Sequence, residues 1–287
     1  MPKRTSPTIT LDQPRTEVYF GDARQLNHLV EPETVHLVVT SPPYWNAKDY
    51  GDPQQIGFGQ SYSSYLESLN EVWDRCVETL VPNGKLAVVI QALPVSGKET
   101  GLGRSSIVDI MADTHQHLKG RGVDLSNQII WDKRKYNNQR IFGSYPYPPN
   151  FFSHVAWEMI YVFRKRGAPV KRPKEEKERS KLSMKEWSNW CFNSMWDIPP
   201  VIKVNSKGEN WFGHLAPYPE ELIYRLVRMF TFEGDLVLDP FLGSATTLRV
   251  TRATNRRGIG VELDQSLEPL VRQRLDEPWS RKEQTEA

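Results

Sequence analysis

The chain has 287 residues, 38% of them hydrophobic, and 37 Lys and Arg against 35 Asp and Glu leave a net charge of +2. That length supports a large core in one or two domains, and no apolar stretch reaches the ~18 residues a membrane span needs. The near-neutral balance excludes binding of polyanions through overall charge, so nucleic-acid contact would have to come from local clusters. No apolar segment follows Met1-Pro2-Lys3-Arg4-Thr5-Ser6, so no secretory leader is expected. Cys76 and Cys191 lie far apart without metal-ligand spacing and read as reduced, buried thiols of a cytoplasmic protein, with no metal site.

Taken in chain order, Tyr19-Phe20-Gly21-Asp22 precedes an apolar run, Val35 to Val39, which Thr40-Ser41-Pro42-Pro43-Tyr44-Trp45 follows directly. Two prolines stop a buried strand and push Ser41 and Pro42 into extended geometry, so their carbonyls cannot all join a ladder. The product is a rigid hydrogen-bonding rim beside an aromatic pair, suited to a flat heterocycle with an exocyclic amine. Asn46 to Tyr62, rich in Gly, Gln, Asp and Pro, predicts a long loop or lid. Leu66, Leu69, Val72, Trp73, Cys76, Val77 and Leu80 recur at a helical period over 65–80, and Pro82-Asn83-Gly84 turns that helix into a strand over 85–91. A further helix is expected over 105–119, where His115 and His117 fall on different faces and read as surface residues.

Residues 127–132 and 156–163 are continuous apolar strands, expected as an antiparallel pair at one sheet edge. Between them, Lys133, Arg134, Lys135, Asn137, Asn138 and Arg140 interleave cations with amides around Tyr136. Lys and Arg neutralise phosphates while Asn, Gln and Arg read base edges, which makes these candidate DNA contacts. Gly143 to Phe152 is too aromatic and proline-rich for a helix and reads as a pocket wall, a DNA contact or a brace for a loop. Arg164, Lys165 and Arg166 open a basic run reaching Lys181, either a DNA-facing surface or a solvated mixed-charge face. Over 164–210 the α/β rhythm gives way to a charged and then Trp-rich stretch. It reads as a target-recognition insertion whose helices pack by their tryptophans, unless those residues are simple core fillers.

Asp235 to Asp239 predicts a second strand, ending in Asp239-Pro240-Phe241, a Gly243-Ser244 turn and a helix opened by Thr246 and Thr247. Small residues there let a ligand approach the backbone, and a helix N-terminus carries free N–H groups. Gly258 to Asp264 is another short strand whose acid, Glu262, has the offset used to hold ribose hydroxyls in nucleotide-binding units. No Gly-x-Gly-x-x-Gly is present, so the unit is not of the dinucleotide type.

The rim at Thr40–Trp45 resembles the catalytic motif of the amino-methylating DNA methyltransferases, and Asp239–Thr247 resembles their S-adenosylmethionine motif. Ala245 stands where that family has glycine, and Leu215, after His214, where it has proline. Catalytic motif first and cofactor motif last is the order of the family's β group, and the resemblance runs over 17–265. It implies an α/β, Rossmann-like S-adenosylmethionine-dependent methyltransferase fold: a mostly parallel seven-stranded sheet with an antiparallel edge hairpin, circularly permuted. It further implies a catalytic half over 16–163, a recognition insertion over 164–210 and a cofactor half over 211–275. Ser41, Pro42, Pro43 and Tyr44 are implied as catalytic. Asp22, Thr40, His214, Asp239, Pro240, Phe241, Gly243, Ser244, Thr246, Thr247 and Glu262 are implied as binding S-adenosylmethionine. Implied partners are duplex DNA, a restriction endonuclease acting on the same site without a stable complex, and a second copy, in a prokaryotic or phage-encoded protein.

A conjugated amine is a poor nucleophile, and a rim that accepts both its N–H bonds exposes the lone pair. By resemblance the Ser41 hydroxyl and Pro42 carbonyl accept them, and Tyr44 stacks on a base extruded from the duplex. Transfer is then direct displacement, driven by orientation and electrostatics. Neither cysteine follows a proline, which argues against cytosine-C5 chemistry. Serine at 41, where adenine-N6 enzymes commonly carry an acid, points to cytosine-N4, with adenine-N6 as the same-fold alternative. A DNA-binding protein that has lost catalysis is the remaining one. Ala245 and Leu215 favour it, whereas Asp22, Asp239 and Glu262 oppose it.

Overall fold

Strands form where apolar residues alternate between two buried faces, and this chain supplies them in two sets that interleave. The computed structural model describes residues 6–281 apart from 101–102, 104, 137–141, 144–145, 149–150, 153–154 and 202–216. Its main sheet comprises β1 (Ile9–Leu11), β2 (Thr16–Phe20), β3 (Val35–Thr40), β4 (Leu80–Ile90), β5 (Val123–Asp132), β6 (Trp157–Lys165), β7 (Met195–Asp197), β8 (Leu236–Asp239) and β9 (Arg257–Glu262). The spatial order is β1-β2-β9-β8-β3-β4-β6-β5-β7. Strands β2, β9, β8, β3 and β4 run parallel, β6 is antiparallel to both β4 and β5, and β1 is antiparallel to β2. The expected seven strands are the inner ones. Two three-residue strands extend them, and β7, parallel to β5, covers the edge that the hairpin was expected to form.

Along β3, Val38 belongs to one core while Leu37 and Val39 belong to the other, and on β4 Leu86, Val88 and Ile90 oppose Ala87 and Val89. Helix α1 (Tyr62–Thr79), capped by Ser61, and α2 (Ile110–Lys119), capped by Asp109, cover the first face. The α2 helix starts later than expected because Ser106–Val108 pairs with Leu93–Val95 as a small hairpin. His117 bonds Asp74 at 2.8 Å and the His115 ring packs near Tyr161 and Phe163, so both are half-buried packing residues and not surface ones. Strand β4 begins at Leu80, earlier than expected. Pro82-Asn83-Gly84 is absorbed as a bulge, with Asn83 at φ 65°.

On the second face lie α3 (Lys174–Ser180), α4 (Met184–Cys191), with a Ser183/Glu186 capping box, and α5 (Glu220–Phe230). Trp190 and Trp196 are buried with Leu222, Leu226 and Val227, while Trp187 is 51% exposed. The expected insertion is thus, through residue 201, a layer packed on the sheet, and two of its tryptophans are core. Trp211 lies outside the described residues. Helix α6 (Thr246–Ala253) seats on β9 because Gly258 and Gly260 leave room: a Cβ at Gly258 would meet its Leu248 at 2.6 Å, and one at Gly260 would meet the same side chain at 2.9 Å. Helix α7 (Glu268–Asp276) completes a small third cluster.

Candidate functional site

The parallel strands all end at the same side of the sheet, and a cleft of about 850 Å³ opens there. Ser41, Pro42, Pro43 and Tyr44 form one wall, Pro240, Phe241, Leu242, Gly243 and Ser244 with Glu262 another, and residues of the loop at 47–56 a third. That volume lies within the ~300–1,000 Å³ of small-molecule sites.

On the rim, the Ser41 hydroxyl donates to Tyr44 Oη at 3.1 Å, and Tyr44 donates to Glu158 Oε2 at 2.8 Å, with the Val89 carbonyl at 3.3 Å. Tyr65 donates to the Pro43 carbonyl at 2.9 Å, while the Pro42 carbonyl takes no hydrogen bond among the described residues. Burial pushes the Tyr44 hydroxyl well above its ordinary value, and the Glu158 charge adds to that. The expected lid is pinned from within. Gln55, 8% exposed, accepts from the Tyr50 N–H and donates to the Lys48 carbonyl. Gln60 accepts the Gly57 N–H, and the Trp45 indole donates to the Gln60 carbonyl.

On the opposite wall, Glu262 accepts the Gly243 N–H at 2.7 Å and the Asp264 N–H at 3.0 Å, so its two oxygens brace the turn while the side chain faces the cleft. Burial raises its carboxyl above the usual range. Asp22 lines the cleft too, with its carboxylate capping the helical turn at Ala23–His28 and pairing with Arg24 at 2.6 Å. Asp239, Thr40 and Thr247 sit behind the wall rather than in it. Asp239, fully buried, accepts from Thr40 Oγ1 at 2.7 Å, Tyr218 Oη at 2.6 Å, Thr247 Oγ1 at 2.5 Å and the Phe241 N–H at 3.1 Å. It therefore ties the rim strand to the opposite turn, and burial raises its carboxyl despite those bonds.

Ala245 adopts the left-handed φ of 62° that glycine takes easily. Its neighbours Gly243, Ser244 and Thr246 line the cleft, whereas Ala245 is fully buried in the cluster of Ile9, Val18, Leu248 and Val271. The methyl thus fills core and leaves the cleft its width. His214 and Leu215 lie outside the described residues, as do Asn137, Asn138 and Arg140.

The basic residues separate by strand direction. Lys133, Arg134 and Lys135 follow the C-terminal end of β5, beside the cleft, and Lys133 lines it. Arg164, Lys165 and Arg166 end the antiparallel β6, six residues and about 20 Å from Glu158, at the opposite end of the sheet. There Lys165 pairs with Glu33 and Arg166 with Asp124. The cations near the cleft are paired as well: Lys133 with Glu158, Arg134 with Asp132, Lys135 with Asp197.

Neither the place of Glu158 in the cleft nor the bond of Tyr218 to Asp239 is legible in the sequence. Glu158 sits inside an apolar strand, where its charge was the one available signal. Tyr218 lies in Pro217-Tyr218-Pro219, with nothing local to link it to Asp239.

The model of the DNA methylase family matches residues 35–273, and the chain belongs to that family. It is 31% identical to the type II methyltransferase M.MjaI of Methanocaldococcus jannaschii over 90% of each chain. It is 30% identical to M.MthZI of Methanothermobacter thermautotrophicus over 91% of this chain and 76% of that one. Among solved structures, a Thermus thermophilus protein assigned as a DNA modification methylase, in complex with S-adenosyl-L-methionine, superposes with a TM-score of 0.69 at 34% identity. That match covers 90% of this chain and 93% of the other. The cytosine-N4-specific PvuII DNA methyltransferase shares the fold, with a TM-score of 0.62 at 20% identity over 96% and 89% of the two chains.

Proposed function

We propose that the chain transfers a methyl group from S-adenosylmethionine to the N4 amine of a cytosine flipped out of duplex DNA, as the protective half of a type II restriction–modification pair. The observation that carries the choice of base is the Ser41 hydroxyl at the cleft, hydrogen-bonded to Tyr44, where adenine-N6 members of the family commonly have an acid.

The residues present fit the cofactor: a carboxylate, Glu262, and an aromatic ring, Phe241, flank a glycine turn in a cleft of sufficient size. When bound, S-adenosylmethionine supplies an electrophilic sulfonium methyl. Glu262, the Phe241–Ser244 turn and Asp22, which all line the cleft, would hold it there. On the other wall the Pro42 carbonyl and Ser41 Oγ accept the two N–H bonds of the target amine, in a geometry stiffened by consecutive prolines. The pinned loop at 46–60 keeps bulk water from the transfer path. Arg134 and Lys135, both exposed, exchange their carboxylate partners for backbone phosphates while Lys133 stays on Glu158, and the segment at 164–210 contributes target recognition.

Nucleoside mass spectrometry on DNA from a methylation-deficient host expressing the protein tests the reading. N4-methylcytosine supports it. N6-methyladenine would keep the mechanism and overturn the assignment of base to Ser41.

A further inference from the structure

In the cleft wall, Ser41, Tyr44 and Glu158 form one hydrogen-bonded chain whose direction is set at its far end. A carboxylate and a carbonyl only accept, so the Tyr44 hydroxyl, 2.8 Å from Glu158 and 3.3 Å from Val89 O, donates toward them. Tyr44 has one hydrogen, and with it committed its oxygen accepts from Ser41 at 3.1 Å. The single hydrogen of Ser41 is thereby held inside the wall, leaving the lone pairs of its oxygen for an outside donor. The Lys133 ammonium bonds the other Glu158 oxygen and lies 4.9 Å from the centre of the Trp131 ring, which gives the carboxylate a cationic partner.

We propose that Glu158 is a positioning residue for methyl transfer: by ending the chain in a carboxylate it fixes Ser41 Oγ as an acceptor facing the substrate amine. The proposal rests on the reading of the rim as the amine-binding edge. A glutamine at 158 offers Tyr44 both a donor and an acceptor, so the chain loses its direction and Ser41 presents its hydrogen to the amine for part of the time. Glu158 acts through Tyr44, so its contribution disappears when Tyr44 has no hydroxyl.

The test is single-turnover transfer of tritiated methyl from S-adenosylmethionine to genomic DNA of a methylation-deficient host, with enzyme in excess. Glu158→Gln is expected to slow transfer about tenfold, with cofactor affinity by calorimetry within about threefold of wild type. Added to a Tyr44→Phe background, the same change is expected to cost less than about twofold, the non-additivity of residues acting as one unit. An unchanged rate in Glu158→Gln, or a full tenfold loss repeated in the Tyr44→Phe background, overturns the proposal. Should the glutamine variant fail to bind cofactor, Glu158→Asp is read in its place: it keeps the charge, and its loss must show the same non-additivity. Absence of transfer by the wild type would instead sink the amine-binding reading.

Discussion

Asp239→Ala is the sharpest test of how the two walls of the cleft are joined. The change strands four donors that now share a carboxylate with no exposed surface: the hydroxyls of Thr40, Tyr218 and Thr247 and the Phe241 N–H. Tyr218 and Thr247 are 2.6 Å apart and can bond each other, which leaves three donors without a partner. At ~1–3 kcal/mol for each buried unsatisfied group, the gross cost is about 3–9 kcal/mol. Relief of the carboxylate's own desolvation brings the net to the low end, about 3–4 kcal/mol. For a chain of this size each kcal/mol moves Tm by ~2–4 °C, so differential scanning calorimetry should show a fall of roughly 6–16 °C. Asp239→Asn retains one acceptor and belongs between that value and wild type. The same variants should lose cofactor affinity, because Phe241 N–H fixes the turn. A Tm for Asp239→Ala within about 2 °C of wild type would refute the account of Asp239 as the tie between the walls.

Other perturbations separate core from cleft. Ala245→Gly exchanges ~1 kcal/mol of left-handed strain for a similar loss of methyl burial and chain entropy, so stability should change by less than ~1 kcal/mol. Cofactor affinity by calorimetry should stay the same, and a large gain would show that the methyl does narrow the cleft. Gly260→Ala drives a Cβ to 2.7 Å from Leu242, and its strain, ~1–3 kcal/mol, should appear both in Tm and as weaker cofactor binding. Glu262→Gln puts an amide N–H against one of the two backbone donors it now accepts, so cofactor affinity should fall by about tenfold in titration calorimetry. Burial pulls the Lys85 ammonium down to about 8, so acetylation kinetics should find it far more reactive at pH 8 than exposed lysines. Its folded value lies below the unfolded one, so its contribution to stability is present above the ordinary lysine value of 10.5 and lost as pH falls through about 8.

What the sequence disclosed and what it hid follow from one physical distinction. Strand ends with special backbone chemistry are written locally: Ser41-Pro42-Pro43 cannot continue a ladder, and Gly243-Ser244 with Glu262 marks a turn and an acid that can be read without a neighbour. The parallel order of the core strands is implied by the family resemblance that those ends carry. Partners brought together by pairing are not local. Glu158 meets Tyr44 across 114 positions because β6 runs backwards beside β4. That same reversal carries Arg164–Arg166 to the far end of the sheet, although they stand only six residues further along. Ala245 is a third case. As a letter it departs from the family's pattern, but only the packing of Val18 and Leu248 shows that its methyl points into the core.

The order β2-β9-β8-β3 has a consequence for the chain's birth. Strands β2 and β3 are separated by fourteen residues in sequence (21–34) but by two whole strands in space, and those strands are made last, at 236–239 and 257–262. A ribosome that has released the chain as far as residue 201 has therefore made a two-stranded piece, β1-β2, and a five-stranded piece, β3-β4-β6-β5-β7, with facing unpaired edges and a slot about two strands, or ~10 Å, wide between them. Neither edge can be satisfied until the C-terminal segment emerges, and closure requires contacts spanning some two hundred positions, the kind that make folding slow. The slot is also a template for any passing strand, including the same segment of another nascent chain. The segment that completes the far wall of the cleft is thus the one that completes the sheet, so a chain cut short before residue 236 keeps Ser41–Tyr44 and Asp22 but lacks the Phe241–Ser244 turn and Glu262 that face them.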